Sequence, residues 1–136
     1  MEFETKVAIV VADDLENWQK LNVVSFLSTG IISKFPEITG EVYVDKSEHE
    51  YWPLSIQPAI ILKASREKLQ TILQRTKSRD IGAAPYIEDM FSTGHDVANR
   101  ETVRAYTTEN LPVVGIGLRA DKKIVDKVIK GAKMHD

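Results

Sequence analysis

Lys6-Val7-Ala8-Ile9-Val10-Val11-Ala12-Asp13-Asp14-Leu15 decides the fold class. The run from Val7 to Val11 is apolar throughout and mostly β-branched, the pattern of a strand buried on both faces. Acids follow it at once and suit the cap of a helix. That helix is expected from about Glu16 to Ser33. Trp18, Leu21, Val24, Leu27, Ile31 and Ile32 would face inward, and Gly30 marks a kink or an early end. Working outward, Ile56–Ala64, Ala83–Ile87 and Pro112–Gly117 read as further strands. Residues 65–77 and 121–133 read as helices, the last with Ile124, Val125, Val128 and Ile129 inward, and a short helix is expected after Gly94. Residues 34–55 form an insert punctuated by Pro36, Gly40 and Pro53. Its alternating run Glu41–Asp45 fits an edge strand or a hairpin arm. Strands alternating with helices imply an α/β fold: a small mixed four-stranded sheet with helices on both faces, one domain over residues 1–136.

Composition removes several classes of function. The chain has no cysteine, which excludes disulfides, thiolate metal sites and thiol catalysis, and fits a cytoplasmic address. A formal net charge of -2 lacks the basic footprint of a general DNA-binding protein, so no DNA partner is expected. The first residues have no basic n-region and no small-residue cleavage site, so no signal peptide is expected. No apolar run reaches the length that spans a bilayer, so no membrane partner is expected either.

Several spellings are more specific. Lys6 to Leu15 looks like the first strand and turn of peptidyl-tRNA hydrolase II. Ile56-Gln57-Pro58 followed by Ile60-Ile61-Leu62-Lys63 resembles that family's second strand. Val114-Gly115-Ile116-Gly117, then Asp126-Lys127-Val128 and Gly131, resembles its last strand and helix. Leu21-Asn22-Val23-Val24, Thr93-Gly94-His95-Asp96 and Asn99-Arg100 resemble an uncharacterised bacterial family with the same kind of fold, defined by its unknown function. The resemblance implies that Lys20 matches the enzymes' helix-one lysine, and that Asp89 and Thr93 match an aspartate and a threonine beyond the third strand. Ala12 stands where the enzymes carry arginine, and Glu16-Asn17-Trp18-Gln19 replaces their glycine-rich turn. The glutamine and histidine of the enzymes' first helix have no counterpart in Val23 to Ser28. What the resemblance implies is therefore a hydrolase-like protein acting on an ester or amide of an RNA or small anionic molecule, with true peptidyl-tRNA hydrolysis not expected. The other reading is a non-catalytic, homodimeric module that binds a ligand or RNA.

Chemistry-bearing residues cluster where such a fold would use them. Asp14, Lys20, Asp89 and Thr93 fall at or just beyond the carboxyl ends of expected strands, the edge that ligands favour in open α/β sheets. A carboxylate there orients or deprotonates water, and an ammonium stabilises an oxyanion. The structural alternative is a capping Asp14 and a Lys20–Asp89 ion pair. His95 and Asp96 read either as an acid/base pair or as a loop residue and a cap. Asn99 and Arg100 suit an anion, or simply a solvated helix face. Gly115-Ile116-Gly117-Leu118-Arg119-Ala120 matches a dinucleotide fingerprint, but only one helix follows, so close backbone packing explains its glycines. His49, His95 and His135 lack metal-site spacing, and neither a metal nor a cofactor is expected. Lys123, Lys127 and Lys130, with Lys133 nearby, share a helix face that is either solvated or meets phosphates. Trp18 reads as a core anchor or a stacking platform.

Overall fold

The computed structural model describes residues 2–136. Its main sheet contains β1 (Thr5–Ala12), β4 (Ala59–Ala64), β5 (Ala84–Ile87), β6 (Val113–Asp121) and β7 (Lys133–Met134), in the order β5-β6-β1-β4-β7. β1 lies at the centre, parallel to β4 and antiparallel to β6, with Val10 opposite both Leu62 and Ile116. Ala8 to Ala12 are fully buried, which is why this segment tolerates no polar residue. β5 and β4 run in the same direction as β1, so the carboxyl ends of all three open on one edge of the sheet.

Helix α1 (Asn17–Lys34) covers one face. Its inward stripe is Val23, Leu27 and Ile31 at i, i+4 and i+8. A Cβ on Gly115 of β6 would collide with Val23, and one on Gly117 would press on Ile31 and Leu27 at 3.1–3.2 Å. The two glycines of the fingerprint-like stretch thus lie inside a strand and let α1 approach the sheet. Val114, Ile116 and Leu118 alternate to the opposite face and are buried there. Helices α2 (Arg66–Ser78) and α4 (Lys122–Val128) cover that face. Ser65 caps α2 by accepting the Lys68 N–H at 3.0 Å, and Asp121 caps α4 by accepting the Lys123 N–H at 2.9 Å.

Three expectations need correction. The sheet has five strands rather than four, because the last helix stops at Val128 instead of reaching residue 133. Gly131, at φ +98°, turns the chain so that Lys133 and Met134 pair with Lys63 and Leu62. Trp18, Leu21 and Ile32 do not point into the core; Leu21 is 72 % exposed. Ile124 of α4 is likewise exposed, while Val125 and Val128 carry that helix's packing.

The insert holds a 3₁₀ turn, Pro36–Ile38, and a separate hairpin of β2 (Tyr43–Val44) and β3 (Glu50–Tyr51). Asp45 organises its turn by accepting the Tyr51 hydroxyl at 2.9 Å and the Ser47 and His49 N–H groups at 2.8 and 3.1 Å. The Tyr51 hydroxyl above all holds the Asp45 carboxyl below the usual carboxylate range.

Gln57 is buried where the insert returns to the sheet. Its amide nitrogen donates to the Thr5 carbonyl at 2.7 Å, and its oxygen accepts from Arg119 Nε at 3.2 Å. Gln57→Ala is expected to cost about 1–3 kcal/mol in urea denaturation, because both partners lose a buried hydrogen bond. A cost below ~0.5 kcal/mol would show that water replaces the amide.

Candidate functional site

Two segments meet beside β5. One is the first half of α1, which presents Trp18, Asn22 and Phe26 at i, i+4 and i+8. The other is the chain after β5: a 3₁₀ turn, Glu88–Ser92, followed by helix α3, Asp96–Arg104. Between them lies a cavity of about 440 Å³. Four aromatic rings form a connected wall: Trp18 meets Phe91 edge-on at 5.9 Å, Phe91 meets Tyr86 at 5.1 Å, and Tyr86 meets Phe26 at 5.7 Å. Burial raises the Tyr86 pKa, so this ring stays neutral. The remaining lining is Met90, Gly94 and five polar residues: Asn22, Thr93, His95, Asp96 and Asn99.

Thr93, His95, Asp96 and Asn99 each have a defined partner. The Thr93 hydroxyl donates to the Met90 carbonyl at 3.0 Å and pairs with the Asn99 side-chain amide. A hydroxyl has one proton, so an Asn99 amide turned to donate an N–H to Thr93 satisfies both contacts. His95 is the N-cap of α3: its Nδ1 accepts the Ala98 N–H at 3.2 Å. The ring proton of the neutral imidazole then sits on Nε2, and His95 offers the cavity a donor. Asp96 pairs with Arg100 one turn along the helix.

A second cavity, about 610 Å³, continues past α3. It shares Phe26, Tyr86, Met90, Asp96 and Asn99 with the first, so the two form one trough. Its far end carries Arg100 and Arg104. Arg104 is exposed and forms no ion pair with any described carboxylate. The trough therefore has an aromatic, amide-lined end at Trp18 and a mostly apolar end that carries two arginines, Arg100 paired with Asp96 and Arg104 free among the described residues.

Of the residues singled out from the sequence, Trp18, Thr93, His95, Asp96 and Asn99 line the first cavity, and Asp96, Asn99 and Arg100 line the second. Lys20, Asp14 and Asp89 line neither. Lys20 stands about 160° around α1 from Trp18, on the side that faces the sheet. It pairs with no carboxylate among the described residues. Asp14 is not a helix cap. Both its oxygens accept from Arg66 Nε at 3.1 Å, and Arg66 also pairs with Glu88 at 2.9 Å. At the start of α1, Glu16 donates its N–H to the Gln19 side chain instead. Asp89 accepts the Tyr106 hydroxyl at 2.9 and 3.2 Å, and this bond raises the Tyr106 pKa. Arg66, Tyr106, Asn22 and the wall's Phe26, Tyr86 and Phe91 were not singled out from the sequence. Trp18 turns out to be 57 % exposed, a wall of the cavity rather than a core anchor.

Among the described residues, no cluster of histidine and acidic side chains has the arrangement of a metal site, and no helix is long and apolar enough to cross a membrane.

A family model described as "Protein of unknown function (DUF2000)" matches residues 5–136. The chain belongs to the DUF2000 family. No curated protein matches it. Among solved structures, this DUF2000 chain is similar to the protein of unknown function Atu0240 from Agrobacterium tumefaciens strain C58. The two are 50% identical over 99% of this chain and 100% of that one, with a TM-score of 0.97.

Proposed function

We propose that this DUF2000 chain is a binding module for a small ligand that joins a flat ring to an anionic group, as a nucleotide does. The observation that carries the reading is the trough. Trp18, Phe91 and Asn22 line one end, Arg100 and Arg104 line the other, and Phe26, Tyr86 and Asn99 are common to both. Aromatic faces accept any flat ring, while the Asn22 and Asn99 amides offer donors and acceptors to its edge. Guanidinium groups suit phosphate or carboxylate. The net charge of -2 favours a small ligand over a long RNA.

Binding is favoured over hydrolysis by the state of the polar groups. The Thr93 hydroxyl, His95 Nδ1 and Asp89 are each engaged in local hydrogen bonds. Lys20 does not line the cavity that holds Thr93 and His95. The peptidyl-tRNA hydrolase II-like fold and a cytoplasmic address belong to the same proposal. They rest on the spellings of the first and last strands and on the absence of cysteine.

The chain has two tryptophans, Trp18 and Trp52, so Trp52→Phe leaves Trp18 as the sole reporter. Nucleosides, their monophosphates, benzoate and inorganic phosphate are titrated while Trp18 emission is followed. Saturable quenching by ring-bearing anions, tighter than by the matching neutral ring, is expected. Turnover of a model peptidyl-tRNA is expected to stay more than about tenfold, or ~1.4 kcal/mol of barrier, below that of an active hydrolase. Absence of quenching by every ring at millimolar concentration, or hydrolysis within that tenfold, would overturn the reading.

A further inference from the structure

From the hairpin arm of the insert we infer that this chain pairs with a second copy of itself, the arm of each seated on the C-terminal segment of the other. The arm exposes Val42, Tyr43, Val44, Tyr51, Trp52 and Leu54 at half or more of their surface, with Trp52 at 91 %. A two-stranded hairpin is marginal alone in water, and this one has only two residues in each strand. Neither β2 nor β3 pairs with the main sheet. An apolar projection of this kind marks an interaction surface.

Two observations select a second copy as its occupant. The first is area. Six neighbouring apolar residues, two of them tyrosine and one tryptophan, each expose half or more of their surface, a patch of the scale at which each partner buries about 800 Å² in a standard-size interface. The second is charge. Glu41, Asp45, Glu48 and Glu50 surround the arm's apolar residues, against the single Lys46. The segment from Lys122 onward has the opposite character. It carries Lys122, Lys123, Lys127, Lys130 and Lys133 against Asp126 and Asp136, and it exposes Ile124 and Met134 between them. It also supplies β7, an edge strand of the sheet. An acidic apolar arm thus finds a basic, partly apolar receptor on the same chain type. A two-fold axis lets each copy give and receive the contact once, which closes the assembly as a dimer.

Sedimentation equilibrium on the full chain tests this. Wild type is expected to be a dimer at micromolar concentration, loosening as salt rises. Trp52→Ser with Leu54→Ser should weaken it by roughly 30-fold or more without changing the melting temperature of the monomer. The sharper test is charge reversal. Glu48→Lys with Glu50→Lys, and Lys123→Glu with Lys127→Glu, should each give monomers alone, since each brings like charges together twice. An equimolar mixture of the two should recover the dimer mass, because both contacts then join opposite charges. This arm of the experiment stands even if the serine variant fails to fold. A wild type that stays monomeric to millimolar concentration, a dimer indifferent to both arm variants, or a mixture that stays monomeric would each overturn the inference.

Discussion

Gly115→Val is expected to lower stability by about 3 kcal/mol or more, a large share of the 5–15 kcal/mol that holds a domain together. Gly115 is the third residue of β6 and lies under α1, where even a Cβ meets Val23 and lies 3.1 Å from Leu27. Relief would require α1 to lift off the sheet, and α1 supplies the fully buried Val23 as well as the nearly buried Leu27 and Ile31. Gly117→Ala should cost less, since its closest contacts, at 3.1–3.2 Å, are side-chain atoms of Ile31 and Leu27. Gly82→Ala is the control: a Cβ there meets nothing within 4 Å, and its effect should stay inside about 0.5 kcal/mol. Urea midpoints falling in that order would establish close helix approach as the reason for the glycine pair. Equal midpoints for Gly115→Val and Gly82→Ala would refute it. The same lift would carry Trp18, Asn22 and Phe26 away from Phe91 and Tyr86, so ligand binding should fail along with stability.

That coupling also shows why part of the molecule could be read from its sequence and part could not. β1 was legible because burial on both faces removes every polar residue from Val7 to Val11. Its neighbours were legible for similar local reasons. The orientation of α1 was not. Apolar residues occur at 18, 21, 23, 24, 26, 27, 31 and 32, so more than one stripe satisfies the helical period. What selects Val23, Leu27 and Ile31 is the pair of glycines some ninety residues later, a long-range fact. The fifth strand escaped because Lys133 and Met134 continue a helical pattern, and only the left-handed Gly131 reveals the turn. At the site, Thr93 to Arg100 stood out as a dense polar stretch after a buried strand. Its other half did not. Trp18 read as a core anchor as readily as a stacking platform, and nothing local marks Phe26 or Arg66. Asp14 and Glu88 become its partners only once β1, β4 and β5 share an edge.

The two ends of the trough should separate by mutation. Trp18→Ala is expected to weaken every ring-bearing ligand by roughly 5- to 150-fold, the worth of one stacked ring, ~1–3 kcal/mol. The loss should be the same for a nucleoside and its monophosphate, because Trp18 lies at the end away from the arginines. Its cost to folding should be small, about 0.5–1.5 kcal/mol, since Trp18 is largely exposed and loses one edge-on contact with Phe91. The cationic end needs a different substitution. Removing Arg100 alone would leave Asp96 unpaired beside the ligand, and its repulsion would exaggerate the effect. Asp96→Asn with Arg100→Gln and Arg104→Gln removes both guanidiniums and that carboxylate together. This triple variant should bind the neutral nucleoside as wild type does, while the monophosphate loses its advantage and most of its salt dependence. Calorimetry on the four ligand–variant combinations decides the matter. If Trp18→Ala costs only the phosphorylated ligand, or the triple variant weakens both ligands alike, the two ends do not act separately and the trough is not read in the way its lining suggests.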